Sequence, residues 1–442
     1  MLASIRFAML LSVAALCPAM APALDPPVAT ASVPPVVLDP AGDNQPALQA
    51  WLDSLPNGST VTLPAGVWPL NSRLTIHKSL SIQSADPTNP ATLKGVGGDG
   101  NRHVLEVGDY DADVFVHGVK LTSLIVESAV TGTGIHNCCV VHGDSFTAER
   151  CSFKGSQHEG LVVHGDCLSA TITDCTAIGC GLGNASYSLS TAGFNAHAHP
   201  TLYTRCTADG CGQGFEVDGH GSKLIDCEAK NPPSVGPSIA FNVGSTGLGV
   251  YDVELDHCRS FGYPDALIAS NGIGRFASLS VHDCLFDGGM ATVAGGTANN
   301  TNSVPRITPG PDTGQSHVDR NVFIIRAQQY GVLGYNGGPS AGGPAISREP
   351  YTFNDNTFFV VGSYTPASPI IFAAGHVDHL DVNRNTVWRL DAAPSRGDFQ
   401  SFSFQDNAAA PGQPGILTSG NCAFKADGTR RDWSEQREGT AP

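Results

Sequence analysis

Gly160-Leu-Val-Val-His-Gly-Asp166, Gly193-Phe-Asn-Ala-His-Ala-His199 and Gly214-Phe-Glu-Val-Asp-Gly-His220 can be laid over one another, and they read as three copies of one strand. Each run leads to a segment ending in cysteine, Thr-Asp-Cys175, Thr-Arg-Cys206 and Ile-Asp-Cys227. Followed in both directions, that position holds Cys151, Cys175, Cys206, Cys227, Cys258 and Cys284, then Asn321, Asn356 and Asn385, with Cys422 as the expected last rung. A short supersecondary unit cannot bury its apolar face alone, so its repetition implies stacking into a solenoid. The shortest interval, Cys206 to Cys227, leaves no room for a strand plus a helix. It fits one coil of a parallel β-helix, and the longer intervals then carry loop insertions.

The 442 residues include 51 glycines and 30 prolines beside many short runs of Val, Ile, Thr and Phe. That is the composition of an all-β chain dense in turns. One domain covers residues 39–424, preceded by a Pro/Ala-rich leader at 24–38 and followed by a polar tail at 425–442. Arg6, the apolar run Phe7 to Leu16 and the small-x-small site Ala21-Pro-Ala23 read as a signal peptide over residues 1–23. The expected location is therefore periplasmic or secreted. Only Asn44 to Leu55 has helical spacing, with Leu48, Trp51, Leu52 and Leu55 on one side. Such a helix would plug the open end of a solenoid.

A net charge of −16 argues against nucleic acid or an anionic membrane as partner, since both demand clustered cations. Most of the 13 cysteines fall at one repeat position rather than in scattered pairs. An inward column of buried free thiols accounts for this, with Cys180 and Cys211 the first candidates for a bond if any forms.

The opening of the chain carries a specific likeness. Asp43-Asn-Gln-Pro-Ala-Leu-Gln, then Gly58-Ser-Thr-Val-Thr-Leu-Pro-Ala-Gly-Val-Trp68 and Leu80-Ser-Ile, resembles the start of the pectate-lyase-like superfamily of right-handed parallel β-helix proteins. The Cys and Asn column is similar to the inward ladder of that fold. The resemblance spans roughly Asp39 to Cys422 and implies architecture more than chemistry, because the superfamily includes polysaccharide lyases, glycoside hydrolases, uronan epimerases, phage tailspikes and proteins without known activity. It also implies that the outer face of the strand before the first turn is where catalytic residues sit.

Alternation along the repeated strand assigns directions. Leu161, Phe194, Phe215, Ile239 and Leu267 form one inward column, and Val163, Ala196, Val217, Phe241 and Ala269 another. The outward columns read Val162, Asn195, Glu216, Ala240, Ile268; then His142, His164, His197, Asp218, Asn242, Ser270; then Asp144, Asp166, His199, His220. With spacings of about 7 Å along a strand and about 4.8 Å between coils, these form one patch of imidazoles and carboxylates. The candidate catalytic residues are His164, His197, His199, Glu216, Asp218 and His220, and the candidate substrate-binding residues are His142, Asp166, Asn195 and Asn242. The bland alternative is a set of solvated polar ladders with no function.

Three chemistries fit the patch. β-Elimination or C5-epimerisation of a uronate would use His197 or His199 as base, with Glu216 and Asp218 orienting it or holding a divalent cation such as Ca²⁺. The outward columns supply no Arg or Lys to neutralise the sugar carboxylate. Glycoside hydrolysis would use Glu216 and Asp218, spaced for an inverting mechanism. A zinc site on His197, His199, Asp218 and His220 is the third. Gln157-His-Glu-Gly160 is similar to the acid-His-Glu strings of bacterial alginate epimerases apart from a missing Asp-Pro, or is a loop leading into the strand. The expected function is action on a polysaccharide, by a lyase or epimerase first, a glycoside hydrolase second, or by glycan binding alone.

Overall fold

The computed structural model describes residues 30–32, 39–96, 103–129, 136–182, 192–197, 200–233, 239–244, 252–269, 278–288, 303–307, 316–325, 330–335, 351–361, 371–374, 379–390, 402–405, 415–431 and 435–438. They build a right-handed parallel β-helix from three long sheets of 14, 14 and 13 strands, here sheets I, II and III. Each coil visits the sheets in turn, as in Ala170–Thr173 (I), Thr176–Ile178 (II) and Ala192–Ala196 (III). Every pairing within the stack is parallel until Arg430–Arg431, which runs antiparallel against Ala423 and Phe424.

Inward residues stack on their own kind. The rings of Phe194, Phe215 and Phe241 lie face to face with centroids 5.1 and 5.3 Å apart in the core behind sheet III. Such pairs contribute about 1 kcal/mol each beyond their burial. At the corner between sheets I and II one residue per coil is left-handed, including Arg150, Asp174, Arg205, Asp226, Asp283, Arg320, Asp355 and Arg384, with φ of 52 to 61°. The next residue therefore turns into the core and forms the ladder. Along the cysteine part the thiols hydrogen-bond to backbone, as Cys206 Sγ to Ile172 O at 3.4 Å. From Asn321 onward the amides are stronger partners: Asn356 Nδ2 donates to Val318 O at 2.8 Å, and its Oδ1 accepts from Asn321 N at 2.9 Å. The last rung is Asn421, whose Oδ1 accepts from Asn385 N at 2.8 Å, and not Cys422. All twelve described cysteines are free, Cys180 and Cys211 among them.

The helix Gln45–Ser54 buries Leu48, Trp51 and Leu52 over the first coil. Among the described residues sheet III begins at Leu74–Ile76, and Gln49 takes the place of a strand before it. Its Nε2 donates to Thr75 O and its Oε1 accepts from Thr75 N, both at 2.8 Å, so one side chain completes the edge as a strand would. No helix among the described residues is long and apolar enough to cross a membrane.

Several expected boundaries move. Thr30–Ser32, inside the stretch read as leader, pairs with Thr60–Thr62 and starts sheet I. The polar tail contributes Arg430–Arg431 and also Glu435–Glu438, which ends sheet III. The long interval between Cys284 and Asn321, expected to carry a loop insertion, contains the strand Ser303–Ile307. The signal peptide expected over residues 1–23 lies outside the described residues.

Candidate functional site

The glycine that opens each repeated strand sits where the chain bends into sheet III. A Cβ on Gly160 would stand 2.4 Å from Gly193 O, and one on Gly214 2.4 Å from Ala240 O, so only glycine fits these close approaches. The bend turns the glycine's Cβ direction toward Ala177 or Ala229 in the core, although the following residue, Leu161 or Phe215, also faces in. Two consecutive inward positions break strict alternation, and the residue before the glycine swings to the outer face. That places Glu159 and Gln213 beside Asn195, Glu216 and Asn242.

In the coil Ile239–Val243 the glycine is replaced by Ala240, and the register differs from the one alternation suggests. Phe215 pairs with Phe241 and Val217 with Val243. Ile239 therefore lies beside Gln213, and Asn242 belongs in the column of Glu216 rather than that of Asp218. Its Nδ2 donates to Gln213 Oε1 at 2.9 Å. One coil beyond, Ile268 pairs in register with Arg306.

The corrected outer face carries two groups of side chains. In the first, Asn195 is fully buried and its Nδ2 donates to Glu159 Oε1 at 2.6 Å and Glu216 Oε2 at 3.5 Å. Its Oδ1 has no hydrogen-bond partner among the described residues. Glu159 Oε2 is 3.1 Å from His158 Nδ1, and Asn137 Oδ1 receives the Glu159 amide at 3.0 Å. One coil on from Asn195, Asp218 is buried and its Oδ2 lies 3.4 Å from Nδ1 of His197, whose side chain is 28% exposed. Burial works against a charged ring at His197. The Asp218 hydrogen bond and charge, with the charges of Glu159 and Glu216, outweigh it and hold the His197 pKa above the ordinary 6.5.

In the second group, Asp166 stands between two imidazoles, with His164 Nδ1 at 3.0 Å and His142 Nδ1 at 2.8 Å. Tyr110, 56% exposed, lies over both rings at 4.7 Å from His164 and 5.5 Å from His142. The loop that carries Tyr110 is anchored from below. Its amide donates to Oε1 of the fully buried Glu106 at 3.0 Å, and Arg73 Nη1 meets Glu106 Oε2 at 2.7 Å. Burial raises the Glu106 pKa, against the pull of the Tyr110 amide and Arg73.

The structure thus brings together His142, His164 and Asp166, and separately Asn195, His197, Glu216 and Asp218. His220 sits half-buried on the turn after Asp218. His199 lies outside the described residues, so a zinc site on His197, His199, Asp218 and His220 has no geometry here. The expected Glu216/Asp218 pair is buried and divided: Asp218 serves His197, whereas Glu216 faces Asn195. Sequence reasoning passes over Glu159, His158, Asn137, Gln213 and Tyr110. The string Gln157-His-Glu-Gly160 is the one signal that points to the first two.

No protein-family model matches the chain, and no curated protein matches it in sequence. Solved structures do match in shape. PfbA, a surface adhesin of Streptococcus pneumoniae, aligns over 92% of this chain and 94% of its own at 10% identity and a TM-score of 0.52. The fold is a right-handed parallel β-helix. The A-module of a mannuronan C-5 epimerase from Azotobacter vinelandii gives 0.51 at 12% identity, covering 87% of this β-helix and 96% of the module. The tailspike of E. coli bacteriophage HK620 gives 0.50 at 12% identity, over 88% and 78%. The chain spans 62% of the length of a Geobacillus virus E2 protein, ORF18, with a TM-score of 0.44 at 11% identity. At these identities the likeness establishes fold alone.

Proposed function

We propose that the protein acts on a uronate-containing polysaccharide outside the cell, by proton transfer at C5 of the sugar, with the outer face of sheet III as its site. The observation that carries this reading is the imidazole pair His197–Asp218 and His158–Glu159 set around Asn195 and Glu216. Elimination and epimerisation both need one group to take the C5 proton and another to give a proton, to the departing oxygen or to the opposite face. His197, with its raised pKa, is the donor. Its Nδ1 is engaged by Asp218, so Nε2 is the atom that delivers the proton. The same positive ring faces the sugar carboxylate and supplies charge that the outer columns near it otherwise lack. His158, oriented by Glu159 and Asn137, is the base. Asn195 and Glu216 hold this arrangement from beneath, and Tyr110 offers a ring face for a sugar to lie on. The resemblance of Gln157-His-Glu-Gly160 to epimerase strings and the neighbouring folds of an epimerase, a tailspike and a surface adhesin support a glycan partner and a location outside the cell.

Hydrolysis is the second reading, favoured by one observation. Glu159 and Glu216 converge on the same amide nitrogen, which keeps their nearer oxygens within about 6 Å. That is closer to the separation of about 5 Å in retaining glycosidases than to inverting ones. The test is incubation with a panel of polyuronates and neutral glycans. Ultraviolet absorbance of an unsaturated sugar, or a changed ratio of C5 epimers, supports the proposal. New reducing ends without that absorbance support hydrolysis. Binding with neither product would overturn both.

A further inference from the structure

We propose that His142, His164 and Asp166 form a binding site for a first-row transition metal of the zinc class. The nearest oxygen or nitrogen atoms of all three lie within 4.8 Å of one another, so one ion can reach them together. The two imidazoles occupy the same position in adjacent coils, because Val141 pairs with Val163 immediately before them. His142 is only 3% exposed, and neither of its ring nitrogens makes a hydrogen bond among the described residues. Its Nδ1 stands 2.8 Å from Asp166 Oδ2, but off the line that a hydrogen bond requires. A buried imidazole that forgoes both its bonds is costly, of order 1–3 kcal/mol, and an ion between ring and carboxylate removes that cost.

Internal comparisons support the assignment. The chain repeats Val-Val-His-Gly-Asp at Val140 to Asp144 and at Val162 to Asp166. Asp144 Oδ1 accepts from Ser145 N at 2.7 Å and Ser169 Oγ at 3.3 Å, whereas Asp166 sits between two rings. The described residues hold one other compact group of this kind, Asp256, His282 and Asp283. There His282 Nδ1 lies 3.2 Å from both Asp256 Oδ1 and Asp283 Oδ2, and Arg320 grips Asp283 at 3.0 and 2.8 Å. Among the described residues no Arg or Lys takes that role at Asp166, whose partners are His142 and His164.

Two imidazole nitrogens and a carboxylate select the ion. Calcium takes about six to eight oxygen ligands, whereas imidazole suits zinc, copper, iron and nickel. Three protein ligands also leave coordination open, as in sites where water or substrate completes the shell. Asp166 is 42% and His164 36% exposed, so the open side meets solvent next to Tyr110, where a hydroxyl or carboxylate of a bound sugar would complete the coordination.

The experiment is titration of chelator-stripped, tag-free protein with Co²⁺ and Zn²⁺, read by visible absorption of the cobalt form and by elemental analysis. One ion per chain is expected, with imidazole nitrogen in the X-ray absorption of the zinc form. His164→Ala and Asp166→Ala, both at accessible side chains, should weaken binding at least about tenfold. His282→Ala should leave it unchanged. Absence of stoichiometric binding, binding indifferent to both substitutions at the site, or binding lost in His282→Ala would overturn the assignment. The assay contains no glycan, so its failure leaves the proton-transfer reading standing, and the reverse also holds.

Discussion

His197 Nδ1 and Asp218 Oδ2 lie 3.4 Å apart, on side chains that occupy one column in successive coils of sheet III. The stack therefore fixes the pair directly, with no loop needed to bring them together. Removing the charge in Asp218→Asn should lower the His197 pKa, as followed by NMR titration of the ring protons.

The same pair makes stability depend on pH, with a definite sign. A histidine whose folded pKa is raised contributes stability that is fully present below the unfolded value, near 6.5, and is lost as pH rises through the folded one. The denaturation midpoint of His197→Gln should therefore fall furthest below wild type in mildly acidic solution. The gap should shrink as the solution becomes alkaline, and a constant gap would contradict the assignment.

The two halves of the inward ladder should respond differently to truncation. Asn356→Ala strands the buried Asn321 amide and Val318 carbonyl and should cost about 2–4 kcal/mol in urea denaturation. Cys206→Ala loses a weak thiol contact and a small volume, about 1 kcal/mol. Equal costs would mean the amide ladder is not a hydrogen-bonded spine.

Gln49→Ala should expose the free edge of sheet III at Thr75, costing about 1–3 kcal/mol. Hydrogen exchange of the Thr75 amide should accelerate, while exchange near Phe215 stays slow.

Burial pushes thiols such as Cys139 and Cys227 well above their ordinary pKa, and the stack holds no disulfide. Native protein should react slowly with a thiol reagent, and unfolded protein should react fully without prior reduction.

The ladder and the repeated strand were open to reading because stacking in register repeats a residue type at each coil. Residues 321, 356 and 385 announce the spine, and His142, His164 and His197 announce the outer column. Two physical effects hid the rest. A slip of two residues keeps every side chain on its own face, so alternation cannot place Ile239 against Gln213 or Phe215. The marker that would decide, a glycine, has become Ala240. The bend at Gly160 also turns two consecutive residues inward, which carries Glu159 to the outer face against simple parity. Tyr110 comes from a loop held by Glu106 and Arg73, a contact across coils that no local pattern encodes.

The proposed role of His197 is to give a proton to a uronate held on the outer face of sheet III. It is tested most directly by comparing initial rates of wild type and His197→Gln on the polyuronate that the panel selects, with C5 deuterium incorporation read in heavy water. A loss of roughly 10²–10⁴-fold is expected, with the fold intact by circular dichroism. An undiminished rate in the folded variant would contradict it.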